Sequence, residues 1–139
     1  MATDPNCLFC KIVAGKIPSM KLYESEKTYA FLDIGPLSDG HALVIPKHHG
    51  AKLHEIPDDY LAELLPVAKK LAIATGSDQY NILQNNGRLA HQLVDHVHVH
   101  MIPKPDEKQG LTVGWPATQP AKEDLQKVFE NIKTKLEKL

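Results

Sequence analysis

Apolar residues come in short blocks broken by Gly, Pro and polar clusters, and the spacing inside each block sets the element it predicts. Residues 7–14 (Cys7-Leu8-Phe9-Cys10-Lys11-Ile12-Val13-Ala14) predict a short helix that stops at Gly15, and Gly15 to Ser19 predict a turn. Residues 21–24 and 28–32 read as two strands joined through Ser25-Glu26-Lys27, a hairpin signal closed by Asp33. A loop follows from Gly35 to Gly40. The next block, His41-Ala42-Leu43-Val44-Ile45-Pro46, is apolar enough to be a central strand and is ended by its proline. From Pro57 a helix is expected, since proline suits a first turn and Asp58 and Asp59 complement the helix dipole there. Leu61, Leu64, Leu65, Ala68, Leu71 and Ala72 recur at three- and four-residue steps, which predicts one buried stripe. Pro66 is expected to kink this helix, and Gly76 to end it. Tyr80 to Gln84 predict a fourth strand leaving through Asn85-Asn86-Gly87, and residues 96–102 a fifth, stopped by Pro103. Leu125, Val128, Phe129, Ile132 and Leu136 form a helical stripe on a lysine-rich segment, about residues 121–138. No repeat or linker interrupts the pattern. The expectation is one α+β domain over residues 1–139, a largely antiparallel sheet with helices packed on it.

The fifth strand carries the most informative pattern. His96-Val97-His98-Val99-His100 alternates strictly, so the three imidazoles are expected to share one face while the valines serve the core on the other. A metal-binding or merely solvated row is one reading. Burial would oblige every ring nitrogen to find a partner, an expense that a purely structural role explains poorly. Catalysis explains it better. A neutral imidazole is a good nucleophile toward phosphorus once one nitrogen holds the proton and an acceptor fixes it. Neighbouring histidines can then give a proton or positive charge to the reacting group. The chain holds five further histidines, at positions 41, 48, 49, 54 and 91.

Composition narrows the classes. The 139 residues are 42% hydrophobic and 24% charged with a net charge of -1, values close to the soluble globular average. Basic residues are scattered rather than clustered, so binding to a nucleic acid polymer is not expected, whereas one small nucleotide is allowed. No secretory pattern and no apolar run near the ~18 residues of a membrane span are seen, so no membrane association is expected and the chain is expected to be intracellular. The two cysteines, Cys7 and Cys10, form a C-x-x-C pair that reads as a metal half-site or two inert thiols sooner than as a disulfide.

His96-Val97-His98-Val99-His100-Met101-Ile102 resembles the signature of the histidine triad superfamily, His-φ-His-φ-His-φ-φ with φ apolar. The resemblance runs over about residues 7–117. It takes in Phe9-Cys10-Lys11-Ile12, Ile17-Pro18-Ser19, Ala30-Phe31-Leu32-Asp33-Ile34, Gly40 to Lys47, Asn85 and Gly114-Trp115-Pro116. Within the superfamily the chain is similar to the Hint branch of purine nucleoside phosphoramidases, its fungal members in particular. The resemblance implies a five-stranded antiparallel sheet, and a homodimer in which two chains share a ten-stranded sheet. It implies hydrolysis of adenosine or guanosine 5′-phosphoramidates, lysine adducts of AMP included, through a nucleotidyl intermediate on His98. His96, His100 and His41 complete the catalytic group, with His41 in the network that orients His98. Asp33 is expected to accept from the ribose hydroxyls, and Phe9, Ile12, Ile34 and Leu43 to line the base pocket. Asn85, Gln92 and His100 are expected to contact the α-phosphate or the leaving group. No organic cofactor is implied. Some members bind zinc, and the corresponding residues here are Cys7, Cys10, His49 and His96, a set suited to a closed structural site. His48 is expected to point the other way. The compartment implied is the cytoplasm, with the nucleus a second.

Two departures stand just before the triad. His91 replaces the usual glycine, adding bulk and a proton carrier near the phosphate. Leu93 replaces a residue with a hydroxyl, which removes one hydrogen bond worth ~1.5–3 kcal/mol to a charged group. Two other functions share these features: hydrolysis of dinucleoside polyphosphates by the same nucleophile, and a non-catalytic dimeric scaffold.

Overall fold

Strands flanked on both faces should be apolar throughout, and the two most apolar blocks do occupy the middle of a sheet. In the computed structural model, which describes residues 1–139, the elements run α1 (Leu8–Val13), β1 (Lys21–Glu24), β2 (Thr28–Leu32), β3 (Ala42–Pro46), α2 (Asp58–Thr75), β4 (Tyr80–Gln84), β5 (Val99–Pro103) and α3 (Lys122–Leu136). Short 3-10 turns lie at Leu53–Glu55 and Arg88–Ala90. The five strands form one sheet in the order β1-β2-β3-β5-β4, with every neighbouring pair antiparallel. β5 therefore enters between β3 and β4, and the last triad histidine comes to the centre of the sheet.

Alternation along β2 and β3 divides the core in two. Tyr29, Phe31, Leu43 and Ile45 face α1 and pack with Phe9 and Ile12. Ala30 and Val44 face α2 and pack with Leu64, Val67, Ala68, Val97 and Val99. The first face becomes the site and the second is plain core.

Three expectations change. Ladder pairing of the fifth strand begins at Val99 rather than His96. His96 instead closes a tight turn, its N–H donating to the Val94 carbonyl at 2.9 Å, while Val97 N–H donates to Gly50 at 2.8 Å. Leu65 leaves the buried stripe of α2 and is 60% exposed, with Val67 taking the core position. One residue is 100° of helix, so only one of two adjacent leucines can face inward. Pro66 lies inside α2, which runs unbroken for 18 residues. It sits on the solvent side, where water can bond the Ala62 carbonyl that its missing N–H leaves free. Pro57 caps this helix from outside rather than sitting in its first turn.

α3 differs more. Its apolar stripe forms as predicted, yet Leu125, Val128, Phe129, Ile132 and Leu136 are all exposed and no residue of the helix is buried. No helix is long and apolar enough to cross a membrane.

Candidate active site

The α1 face of the sheet opens into a cavity of about 440 Å³. Strand order arranges its lining. Asp33 and Ile34 follow β2 on one side, Leu83 and Asn85 on and beyond β4 lie on the other, and His98 and His100 stand between them. Phe9, Ile12, Ile17, Phe31 and Leu43 make the floor and the near wall. Phe9 sets its edge against the His98 ring, with centroids 5.2 Å apart and planes at 88°.

Backbone groups fix the tautomers. His98 Nδ1 lies 2.7 Å from the His96 carbonyl, which can only accept, so Nδ1 carries the proton and Nε2 keeps its lone pair. A second chain of contacts orders His100. The Leu37 N–H donates to His41 Nδ1 at 3.1 Å, so His41 holds its proton on Nε2. That Nε2–H donates to His100 Nδ1 at 2.9 Å, which leaves the His100 proton on Nε2. One ring thus offers a lone pair and its neighbour, 4.9 Å away between centroids, offers a donor.

Burial keeps these rings neutral. It depresses His98 below the ordinary histidine value. It brings His100 down to about 4, helped by the positive charge that His98, His41 and His91 can carry. His41 is lowered by the same desolvation, against the pull of Asp33, whose Oδ2 lies 3.6 Å from His41 Nε2. Asp33 Oδ1 accepts from the Gly35 N–H at 2.8 Å, which fixes the carboxylate at the cavity edge.

A second cluster lies beside the first. Cys7, Cys10, His49 and His96 each offer a ligand atom, all within 4.8 Å of one another. His96 donates Nε2–H to the Pro46 carbonyl at 2.8 Å, so its Nδ1 lone pair faces Cys7 Sγ at 3.3 Å and Cys10 Sγ at 3.6 Å. His49 Nδ1 lies 3.3 Å from His96 Nδ1 and 3.4 Å from Cys10 Sγ. Tetrahedral bonds of ~2.0–2.1 Å to nitrogen and ~2.3 Å to sulfur place ligand atoms about 3.3–3.8 Å apart, so the set fits such an ion. Burial pushes the Cys10 thiol up to about 11. His48 turns away and packs on Tyr60, as expected.

Of the residues singled out from sequence, Phe9, Ile12, Asp33, Ile34, His41, Leu43, Asn85, His98 and His100 line the cavity. Three roles are corrected. His96 faces the cysteines instead of the cavity, because its strand partner positions begin only at Val99. Gln92 is buried outside the cavity, with both ends of its amide used: Oε1 accepts from Gly87 N–H at 2.7 Å and Nε2 donates to Ala51 at 2.6 Å. It clamps the loop and lies away from the space a phosphate would occupy. His41 orders His100, while the His96 carbonyl orients His98. Carbonyls such as those of His96 and Pro46 leave no trace in a sequence. Leu83 was also missed, although its place one register step across from His100 follows once strands 4 and 5 are paired.

Residues 14–107 match the HIT domain family. The chain belongs to that family. It is 58% identical to adenosine 5′-monophosphoramidase HNT1 of Saccharomyces cerevisiae, over 96% of this chain and 85% of that protein. The crystal structure of a histidine triad nucleotide-binding protein from Candida albicans is similar, with 56% identity, coverage of 96% and 99%, and a TM-score of 0.91. A zinc-bound histidine triad family protein from Mycobacterium smegmatis is 31% identical, with 96% of each chain covered and a TM-score of 0.69.

Proposed function

We propose that this chain hydrolyses the P–N bond of purine nucleoside 5′-phosphoramidates, with His98 as the nucleophile. The observation that carries the reading is the His98 tautomer, with Nδ1–H held by a backbone carbonyl and the Nε2 lone pair free in the cavity. The base lies on the apolar floor of Phe9, Ile12 and Leu43 with Ile34 at its rim, and the ribose hydroxyls donate to Asp33. His98 Nε2 attacks the α-phosphorus, and the P–N bond breaks with its electron pair leaving on the amine nitrogen. That nitrogen needs a proton, and the Nε2–H of His100 is the donor beside it. Water then attacks phosphorus and gives a proton back to His100 Nε2, the P–His98 bond breaks, and the imidazole regains its lone pair as AMP or GMP leaves.

The similarity to adenosine 5′-monophosphoramidases supports the activity and the nucleotide. The tetrahedral donor spacing supports zinc, held by Cys7, Cys10, His49 and His96 with no open position. Its chemistry there is structural, tying α1 to the turn before β5. The Cys/His cluster and the triad meet at His96, whose carbonyl orients His98. A homodimer with a shared ten-stranded sheet is the assembly we favour. β4 is an edge strand, and Tyr80 and Ile82 on it remain exposed, as do Leu65 and Ile73 of α2.

The test is mass spectrometry of protein quenched after mixing with adenosine 5′-phosphoramidate. A single AMP adduct on the peptide carrying His98 is expected. An adduct elsewhere, or turnover of diadenosine polyphosphate in preference to the amide, would replace the assignment.

A further inference from the structure

His91 is the only residue other than glycine with a positive φ, at 68°. It follows the 3-10 turn Arg88–Ala90 in the left-handed region, with ψ at 29°. A side chain there crowds its own backbone, and glycine alone adopts the conformation freely. The loop leaves no alternative. Gln92 ties it to Gly87 and Ala51, Arg88 Nη1 donates to the Gln92 carbonyl at 2.6 Å, and Asn85 Nδ2 donates to the His91 carbonyl at 3.3 Å. The backbone at residue 91 is thus set from both sides, and the chain places an imidazole where a hydrogen atom would fit best.

That imidazole lines the cavity and makes no hydrogen bond of its own within the chain. Its position is informative. Along the sheet, Asp33 lies on the β2 side of His98, and Asn85 and His91 lie on the β4 side. With a ribose at Asp33 and the nucleophile in the middle, an in-line leaving group departs toward Asn85, His91 and Leu93. The lining on that side includes no carboxylate, and His91 brings it a ring N–H donor. Strain that persists at the edge of a reaction cavity points to a side chain in use.

We infer that His91 is a specificity-determining residue for this reaction, donating a hydrogen bond to a carboxylate carried by the departing amine. The preferred substrates are then nucleotide adducts of amino acids, joined through nitrogen, rather than adducts of plain alkylamines. This rests on the phosphoramidase reading above.

The experiment compares two substrates of nearly equal size, AMP joined to glycine and AMP joined to methylamine, with wild type and His91→Gly. Wild type is expected to favour the glycine adduct in kcat/KM by about 10- to 100-fold, the range of one hydrogen bond to a charged group. His91→Gly should lose that preference while its turnover of the methylamine adduct stays within about threefold, and its Tm should rise by about 2–5 °C as the strain is relieved. Equal loss on both substrates, or a preference that survives the change, would overturn the inference. A Tm at or below wild type would remove the argument from strain. Failure of wild type on both adducts would instead overturn the phosphoramidase reading, and this inference with it.

Discussion

A single backbone carbonyl leaves His98 with a free Nε2 lone pair, and a relay that starts at the Leu37 N–H makes His100 a donor. Neither ring needs a carboxylate to hold its tautomer. Asp33 sits near His41, yet desolvation outweighs its pull and the ring stays neutral. His98→Ala should therefore cost at least about 10³-fold in kcat while still binding AMP, since the cavity wall and Asp33 are untouched. Turnover of adenosine 5′-phosphoramidate within tenfold of wild type would show that another group attacks phosphorus. The same burial makes stability depend on pH. His41, His98 and His100 bind protons at ordinary values when unfolded and at lower values when folded, His100 at about 4. Between about pH 6.5 and 4 the unfolded chain holds more protons, so stability is full above that window and falls as pH drops through it. Urea midpoints at pH 7.5, 6 and 5 check this, and a flat series would contradict the buried neutral rings. The row of imidazoles was legible in the His-φ-His-φ-His pattern. Its orientation was not, because backbone acceptors are identical in every sequence.

At the scale of elements, α1 is short and has little intrinsic stability at six residues. It holds its place through Phe9, Ile12 and the cysteine pair. Cys7 also caps it, accepting from the Cys10 N–H at 3.3 Å. A metal at the Cys7–Cys10–His49–His96 cluster would join α1, the segment after β3 and the turn before β5. Protein purified without chelator should hold close to one zinc per chain by elemental analysis, and the double variant Cys7→Ala, Cys10→Ala should hold none and unfold at lower temperature. A metal-free wild type with full stability and activity would sink the structural site. The C-x-x-C pair was visible at once, but its partners lie 39 and 86 residues beyond Cys10. Only the strand order brings them together.

For the whole molecule, two surfaces lack cover. One is the edge made by β4 and the outer side of α2. The other is the C-terminal arm, where Trp115 is 81% exposed and α3 shows its full apolar stripe. An isolated domain gains little from leaving a tryptophan in water, and we propose that a second copy of the chain covers it. Sedimentation should give a homodimer, and Trp115→Ala should leave it intact while slowing bulky amide substrates more than small ones. A monomer would refute the shared sheet, and equal slowing of all substrates would leave Trp115 with a packing role alone.

The sequence by itself determined the elements, because hydrophobic period and turn residues act over a few positions, and it determined which imidazole is flanked on both sides. It also marked His91 and Leu93 as departures, since residue identity is all that such a comparison needs. The tertiary structure alone decided that His96 is kept out of the cavity that His98 and His100 line, and that Gln92 is a clamp. It likewise decided that α3 leaves its stripe uncovered. Each of these depends on groups far apart in the chain, or on backbone carbonyls and angles, and local pattern carries no information about either.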